Sequence, residues 1–297
     1  MQMSRQELPQ LTGKMFVTDG GIETHMIFNL GQDVPDMSVY LLNMSATGRE
    51  LMRDYYRAYI PICRKAGQAF LFDTNTWRAN PDWGFRAGLD LAALRRANIE
   101  AVAFCRQMQV EFAAAGVDSI VSGVLGPRRD AWQHDRLMTV EESLSYHGMQ
   151  VEAFAEAGAD YVSAYTLTNV PEAVGIARLA RRLDLPVVLS FTLETDGNLP
   201  GGKPLEVAIN EVDAATGGYP AYYMIGGLRV NASMLSHAEL DNSPELDIGD
   251  ATDLAQRYAR LLPMLPNIRV IGGCCGTDHR HIGAICSTCL PSPHQHH

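Results

Sequence analysis

The 297-residue sequence predicts a single (β/α)8 barrel. Eight short apolar runs recur along the chain, helical patterns lie between most of them, and polar residues follow the runs at their carboxyl ends. The length suits one such barrel, and no linker or low-complexity segment interrupts the pattern. We therefore expect one barrel domain over residues 1–297.

Runs rich in β-branched and aromatic residues are predicted to form the strands. Each run is short and continuously apolar, which is typical of strands that are buried on both faces of a parallel sheet. The eight runs cover residues 15–21, 69–76, 119–127, 161–168, 186–194, 222–225, 227–232 and 269–276.

Two long segments between these runs have the apolar period of a helix. In residues 91–116 apolar side chains recur at every third or fourth position. Residues 141–158 do the same, and the sequence TVEE at their amino-terminal end, residues 139–142, suits a helix start. The predicted buried faces carry Ile99, Val102, Cys105, Met108 and Phe112 in the first helix, and Leu144, Val151 and Phe154 in the second.

Polar residues gather at the carboxyl ends of the predicted strands. In a (β/α)8 barrel the active site is built at that end, from residues of several strands. The candidates are Asp19, Asp73, Thr74, Asn75, Thr166, Ser190, Thr192, Glu194, Asn231 and Cys274.

The sixth and seventh predicted strands follow each other too closely. The run YYMI is separated from the next strand-like run by at most Gly226 and Gly227. A parallel neighbour needs a crossover of a dozen or more residues, usually a helix, whereas so short a link could make only an antiparallel hairpin. Either the strand count is wrong, or a helix-containing segment is missing between Ile225 and Gly226, from the protein or only from the sequence as written.

Composition restricts the class of protein and of partner. The net charge of -10 argues against nucleic acid or an anionic membrane as the main partner. No apolar run approaches the ~20 residues of a membrane span. Six cysteines are too few for a disulfide framework in a chain of this length, so we expect a reducing, cytoplasmic environment.

The stretch RVIGGCCGTDHRH, residues 269–281, holds adjacent cysteines among glycines. Successive strand side chains point to opposite faces, so Cys274 and Cys275 can reach one metal ion only if the backbone bends, which glycines permit. Two thiolates favour Zn²⁺, and catalytic zinc typically has three protein ligands, so a third would come from elsewhere. Inert packing, a strained vicinal disulfide and a single reactive thiol are the alternatives.

Five segments in order resemble the motifs of the homocysteine S-methyltransferase family. They are TDGGIETHMIF, FDTNTWRANPDWG, GVLGPRRDAW, LSFTLETDGNLPGGKPL and IGGCCGTDHRHI, and they span most of the chain. The resemblance implies a (β/α)8 barrel. It also implies zinc held by three cysteines, namely this adjacent pair and one that follows an Asn at the end of the sixth strand.

The chain departs from the family pattern at two places. No Asn-Cys follows the sixth strand; Asn231-Ala232 could pass for a substituted one, but GLRVNASMLSH looks like the seventh strand and its loop. The resemblance therefore favours a missing segment of roughly twenty or more residues between Ile225 and Gly226, the length that a parallel crossover needs. The third cysteine ligand is absent from the sequence and is expected in that segment, after Ile225. Many relatives carry Glu-Thr where this chain has Tyr165-Thr166, and that Glu contacts the amino-acid part of homocysteine, so no carboxylate can be assigned to position 165.

The resemblance implies a zinc-dependent S-methyltransferase. A methyl group would pass from a sulfonium or quaternary ammonium donor to the thiol of homocysteine or a similar thiol, giving methionine or an analogue. Cys274 and Cys275 would be zinc ligands and would act through the bound metal. The implied substrate-binding residues are Asp19, Gly20, Asn75 and Thr166. The partners are then a small-molecule thiol and a methyl donor, and a homo-oligomer remains open.

Other interpretations stay open at this point. A metal-free barrel could use Cys274 and Cys275 as redox or nucleophilic thiols, and a non-catalytic relative could bind a ligand. Trp77, Trp83 and Trp132 follow the second and third strands, where they could attract a cationic methyl donor or simply anchor loops. His279 and His281 are expected to start the last helix, and Cys286 and Cys289 to lie on its buried face.

Overall fold

The computed structural model describes residues 8–131, 137–194, 196–224, 227–233 and 246–290. All eight predicted strands occur in these ranges, and the strand pairs are parallel. Their order in the sheet is β6-β5-β4-β3-β2-β1-β8-β7, which is the order of a (β/α)8 barrel and confirms the predicted fold class. The strands are β1 (Phe16–Val17), β2 (Ala69–Asp73), β3 (Ser119–Leu125), β4 (Tyr161–Leu167), β5 (Val187–Phe191), β6 (Tyr222–Tyr223), β7 (Gly227–Val230) and β8 (Val270–Gly273).

Helices lie between most of the successive strands. None of the helices described has both the length and the apolar character that crossing a bilayer requires. They are α1 (Ile22–Thr24), α2 (Ala46–Arg57), α3 (Ile60–Ala66), α4 (Pro81–Arg86), α5 (Leu91–Ala114), α6 (Val140–Glu156), α7 (Val170–Arg182), α8 (Leu205–Thr216), α9 (Ala251–Leu261) and α10 (His279–Cys289). The two helices predicted over residues 91–116 and 141–158 are α5 and α6.

The junction between β6 and β7 falls on Ile225 and Gly226, which lie outside the described residues. The missing segment therefore stays a prediction. Each neighbouring strand keeps the parallel direction, since β6 pairs with β5 and β7 pairs with β8.

The chain divides into two compact units. The first unit comprises Met1–Thr12, Asp73–Cys105 and Val121–Ile225, and the second comprises Gly13–Phe72, Arg106–Ile120 and Gly226–His297. The first unit therefore holds β4, β5 and β6, and the second holds β1, β7 and β8. That residues 1–297 form one domain stays a prediction.

In the first unit, α6 packs closely against β3. A side chain at Gly123 would place its Cβ 2.4 Å from the Phe154 ring, so only glycine lets the helix lie this close. Thr139 caps α6, accepting a hydrogen bond from the Glu142 amide while the Glu142 carboxylate accepts one from the Thr139 amide. This capping box confirms the helix start that TVEE predicts.

A buried hydrogen bond between His147 and Glu172 joins α6 to α7. His147 and Glu172 are 0% and 2% exposed, and their side chains meet at 2.9 Å. The carboxylate also accepts hydrogen bonds from the Arg128 amide at 2.8 Å and the Asn169 amide group at 3.1 Å. Burial alone would raise the pKa of Glu172, but these partners, His147 first, hold it below the ordinary value.

The second unit has an aromatic core between α2, β2 and α5. Tyr56, Phe70, Phe72 and Phe112 are at most 1% exposed. Their rings pack edge-on or tilted at centroid distances of 4.8 to 6.3 Å. Such ring pairs add attraction beyond the burial of apolar area. This core fixes β2, the strand that ends at Asp73.

We predict that Glu172→Gln destabilises the protein by about 1–3 kcal/mol at neutral pH, because it removes the charged acceptor of several buried hydrogen bonds. The lowered pKa of Glu172 means that the carboxylate stabilises the fold above the unfolded-state pKa of about 4.3 and ceases to do so as the pH falls. Denaturant unfolding at several pH values from 7 to 3 measures the free energy of unfolding. The difference in this free energy between wild type and variant should become smaller in acid. Glu152→Gln, an exposed change on α6, is the control. A gap that stays the same at every pH would contradict the role of the charge.

Candidate functional site

The backbone bends directly after β8. This strand ends at Gly273, and Cys274 and Cys275 lie in the turn that leads to α10. Gly276 follows with φ +76°, a conformation that favours glycine. Cys274 is half-buried and Cys275 is exposed, and their thiols hydrogen-bond each other. This hydrogen bond brings the two thiols together, and that they bind a metal ion stays a prediction.

The turn packs against the residues that follow β1 through backbone atoms. A Cβ at Gly20 would lie 2.5 Å from the Thr277 carbonyl oxygen, and one at Gly21 would lie 2.6 Å from the Cys274 carbonyl oxygen. The Gly21 amide donates to the Thr277 carbonyl at 3.0 Å. Glycine is therefore required at both positions for the two segments to meet.

The two cysteine thiols differ in acidity. The hydrogen bond from Cys275, followed by the positive charge of Arg229, lowers the pKa of Cys274 to about 6, although burial opposes the shift. The same hydrogen bond and the nearby thiolate raise the pKa of Cys275 well above its ordinary value. The pair accordingly carries one negative charge at neutral pH and shares the remaining proton.

Arg229 on β7 connects the pair to Asp19. Its Nε donates to the Gly273 carbonyl at 2.9 Å, and its Nη2 donates to Asp19 Oδ1 at 3.0 Å. The Asp19 carboxylate, 2% exposed, also accepts a hydrogen bond from the Tyr55 hydroxyl at 3.1 Å. The guanidinium thus lies beside both an anionic sulfur and a buried carboxylate.

Two tyrosines complete this group. The Tyr59 hydroxyl accepts a hydrogen bond from the Gly20 amide at 3.0 Å and donates to the Tyr55 hydroxyl at 3.2 Å. Burial and the charge of Asp19 raise the pKa of both phenols, so both stay protonated. Asp19 and Gly20, two of the predicted substrate-binding residues, are therefore held by a hydrogen-bonded chain of neutral hydroxyls.

The converging thiols supply two soft sulfur donors of the kind that zinc prefers. The described residues contain no group of three or more His, Cys, Asp or Glu side chains that could hold a metal ion. At Asn231-Ala232, the Ala232 amide donates to the Cys275 carbonyl at 2.9 Å, and the methyl side chain offers no ligand. The donor set fits zinc through two ligands, with the third expected beyond the described residues.

The two histidines after the pair begin α10. His279 is exposed, whereas His281 is 3% exposed and bonds Asp278 through Nδ1 at 3.1 Å. The other ring nitrogen of His281 lies 2.8 Å from the Ile248 carbonyl. Both ring nitrogens of His281 are engaged in anchoring the helix.

The last helix also carries the remaining cysteine pair. Cys286 is 3% exposed, and Cys289 is half-buried, with its thiol 3.6 Å from the Ala255 carbonyl. Burial raises the pKa of both thiols, to about 12 for Cys286.

In the first unit, hydrogen bonds connect the segment after β2 to β3. The Thr74 hydroxyl accepts from the Val124 amide at 2.9 Å, and the Thr76 hydroxyl donates to the Val124 carbonyl at 2.7 Å. These bonds fix the backbone on both sides of Asn75, which is 6% exposed. The Thr-Asn-Thr motif therefore holds Asn75 in one position.

Thr166 lies in an irregularity of β4. The register shifts between Ala164 and Leu167, and Thr166 has φ 57°, a strained value for a β-branched residue. Its hydroxyl donates to the Tyr165 carbonyl at 2.7 Å and accepts from the Trp77 indole at 3.1 Å. Side-chain contacts thus support the unusual backbone.

The tryptophans after β2 enclose an arginine. Arg78 lies 4.4 Å from the Trp77 ring centroid and 3.7 Å from that of Trp83. Its guanidinium also pairs with Asp130 at 2.9 Å. A cation of the protein itself therefore occupies a position beside both rings. Trp132, the third tryptophan predicted to attract a cation or anchor a loop, lies outside the described residues.

Sequence reasoning missed Arg229, Tyr55 and Tyr59. A signal existed for Arg229, since it is a charged residue inside the strand-like run GLRVNA. The tyrosines gave no comparable signal, because aromatic residues on a helix are usually part of the core.

Comparisons with known proteins agree with the motifs. A family model for homocysteine S-methyltransferase matches residues 16–289. The homocysteine S-methyltransferase of Escherichia coli (strain K12) is 29% identical over 269 residues, covering 80% of this chain and 82% of that protein. The betaine–homocysteine S-methyltransferase 1 of Rattus norvegicus is 27% identical over 174 residues, covering 48% of this chain and 42% of that protein.

Solved structures of the homocysteine methyltransferase MmuM from Escherichia coli are also similar. The oxidized form gives a TM-score of 0.70 at 24% identity, covering 92% of this chain and 95% of that one. The metallated form gives a TM-score of 0.67 at 25% identity, covering 92% and 96%.

We predict that metal-free protein gains one thiolate near pH 6, because the lowered pKa leaves Cys274 ionised at every pH above that value. Ultraviolet thiolate absorbance measured against pH follows this step. Arg229→Gln should move the step to higher pH, since it removes the nearby positive charge. Absence of any thiolate below pH 8 in the wild type would contradict the prediction.

We predict that Gly20→Ala destabilises the second unit and weakens methyl transfer, because the new Cβ would overlap the Thr277 carbonyl. Thermal unfolding and an activity assay measure the two effects. Gly148→Ala in α6 is the matched control: its Cβ has 4.0 Å of space, and it should gain about 1 kcal/mol from helix propensity. Equal behaviour of the two variants would show that the contact between the segments is not close.

Proposed function

The chain belongs to the homocysteine S-methyltransferase family, and from this premise we propose that it moves a methyl group from a sulfonium or quaternary ammonium donor to the thiol of homocysteine or a similar thiol. Membership in the family makes it an S-methyltransferase. The observation that carries the proposal is the convergence of two thiols, one of them acidic, in the turn after β8.

Cys274 and Cys275 are proposed as two ligands of a zinc ion. Their sulfur atoms converge, one is a thiolate at neutral pH, and the MmuM structure at 25% identity is described as metallated. The third ligand is proposed to lie in the segment expected after Ile225. Zinc bound here would ionise the acceptor thiol, whose ordinary pKa of about 8.5 leaves it mostly protonated at neutral pH.

The transfer is a simple displacement. The acceptor sulfur gives an electron pair to the methyl carbon, the bond from that carbon to the donor breaks, and its electrons stay on the donor, which becomes neutral. The acceptor loses its thiol proton before or during this step. An acceptor held as an anion in line with the methyl group therefore meets most of the chemical requirement.

The residues around the pair support this chemistry by their charge and position. Arg229 offsets the negative charge on Cys274, and the Asp19 carboxylate orients the guanidinium. Tyr55 and Tyr59 stay protonated and hold Asp19 and Gly20 in place. By resemblance, we propose Asp19, Gly20, Asn75 and Thr166 as substrate-binding residues.

A cytoplasmic location and formation of methionine or an analogue are also proposed. All six cysteines are free thiols, which suits a reducing compartment.

We predict that protein purified without chelator contains about one zinc ion per chain and methylates homocysteine, as expected for a catalytic zinc site. Elemental analysis measures the metal, and a donor panel of S-methylmethionine, S-adenosylmethionine and betaine measures transfer. Cys274→Ser and Cys275→Ser should each lose the zinc and the activity. Cys289→Ser makes the same atomic change in α10 and should keep both.

Intact mass establishes whether the segment after Ile225 is present in the protein assayed. Full activity in the double variant Cys274→Ser/Cys275→Ser would overturn the role of the pair. Methyl transfer without zinc that still requires Cys274 would favour a nucleophilic thiol instead.

A further inference from the structure

We propose that Asp73 and Tyr165 form a recognition site for the cationic group of a substrate, either the ammonium of the acceptor or the onium centre of the methyl donor. This inference rests on the proposed function and names the charge that one of its substrates carries. Both residues belong to the first unit, where Asp73 ends β2 and Tyr165 lies near the end of β4.

The two side chains are directly joined. The Tyr165 hydroxyl lies 3.2 Å from Asp73 Oδ1 and 3.0 Å from Oδ2, and donates to the carboxylate. Asp73 is 7% exposed, and Tyr165 is half-buried. A hydroxyl donor orients a carboxylate without neutralising it, so the pair presents an oriented carboxylate with a tyrosine side chain beside it. Carboxylates and tyrosine faces both attract ammonium and sulfonium groups.

The backbone directly after Tyr165 is held in an unfavourable conformation. The register shift in β4 and the positive φ of Thr166 come directly after Tyr165. Irregularities of this kind redirect a neighbouring side chain and are common beside active sites. The hydroxyl of Thr166 bonds the Tyr165 carbonyl, and the Trp77 indole bonds that hydroxyl. These consecutive contacts serve to fix the position of Tyr165.

Further tyrosines lie within reach of the Asp73 charge. Tyr161, on the same strand as Tyr165, is 1% exposed, and Tyr222 is on β6. After burial, the charge of Asp73 is among the causes that raise the pKa of both phenols. Asp73 thus lies in aromatic surroundings, where a carboxylate interacts with a cation more strongly than it would in water.

The two described tryptophans of this unit already contact a cation of the protein. Arg78 lies over the rings of both Trp77 and Trp83, so these faces hold a guanidinium of the protein itself. The cation attraction that the sequence suggested for the tryptophans is therefore better placed at Asp73 and Tyr165.

Two variants test the site in the full chain. Asp73→Asn removes the charge with little change of shape, and Tyr165→Phe removes only the hydroxyl. The matched controls are Asp213→Asn and Tyr223→Phe, because the Tyr223 hydroxyl donates to Asp213 at 2.8 Å in an equivalent pair between β6 and α8. Thermal unfolding checks that all four variants are folded.

Paired substrates identify which cation binds. Homocysteine is compared with 4-mercaptobutanoate, which has the same thiol and carboxylate but no ammonium, and S-methylmethionine is compared with dimethylsulfoniopropionate as donor. If the site takes the acceptor ammonium, Asp73→Asn raises the KM for homocysteine roughly 10- to 100-fold, the loss expected for a charge-assisted hydrogen bond. Both kcat and the KM for the ammonium-free thiol then change little, and Tyr165→Phe has a smaller effect of the same kind.

If the site takes the onium centre, both donors lose affinity in Asp73→Asn and the acceptors do not. Unchanged KM values for every substrate, or equal losses for substrates with and without the cation, would overturn the inference. Calorimetric titration with homocysteine and with S-methylmethionine needs no turnover. If wild type transfers no methyl group, the proposed function fails, and the site is still judged by whether Asp73→Asn weakens binding of either compound.

Discussion

The contact between the residues after β1 and the turn after β8 is the constraint on which the cysteine pair depends. It is made by backbone atoms on both sides. The Thr277 and Cys274 backbone lies so close that no side chain would fit at Gly20 or Gly21. A backbone contact of this kind fixes the turn more closely than flexible side chains would. The turn in turn places two neighbouring sulfur atoms together, a geometry that an extended strand forbids.

Charge is arranged around this contact so that the sulfur pair can stay anionic. From β7, Arg229 donates hydrogen bonds to the Gly273 carbonyl and to Asp19, and its positive charge lowers the pKa of Cys274. The Asp19 carboxylate keeps the guanidinium in place, and two protonated tyrosines hold the carboxylate. A soft metal ion would bind a pair in which one of the two thiols, Cys274, has already lost its proton. Metal binding would then release one proton fewer than it would from two ordinary thiols.

The sequence predicted the fold well because each strand is a short buried run and each long helix has a clear apolar period. The match extends to the start of α6, where Thr139 and Glu142 form the capping box that their spacing indicates. The cysteine pair was also predictable, since adjacent thiols among glycines are unusual. The contacts between buried polar side chains could not be predicted. His147 and Glu172 are 25 positions apart and look like surface residues on helices, and only the packing of α6 on α7 buries them together. Arg229 and Asp19 are 210 positions apart, and no local pattern links them.

Thr166 combines two properties that few residues share. Its backbone occupies the left-handed region, which glycine and asparagine adopt readily and a β-branched residue resists. Its hydroxyl is a partner of both the Tyr165 carbonyl and the Trp77 indole, which glycine cannot replace. Serine alone would keep the hydroxyl while shedding the branch. Position 166 should accordingly tolerate a very narrow choice of amino acids, and a substitution there would disturb both β4 and the segment after β2.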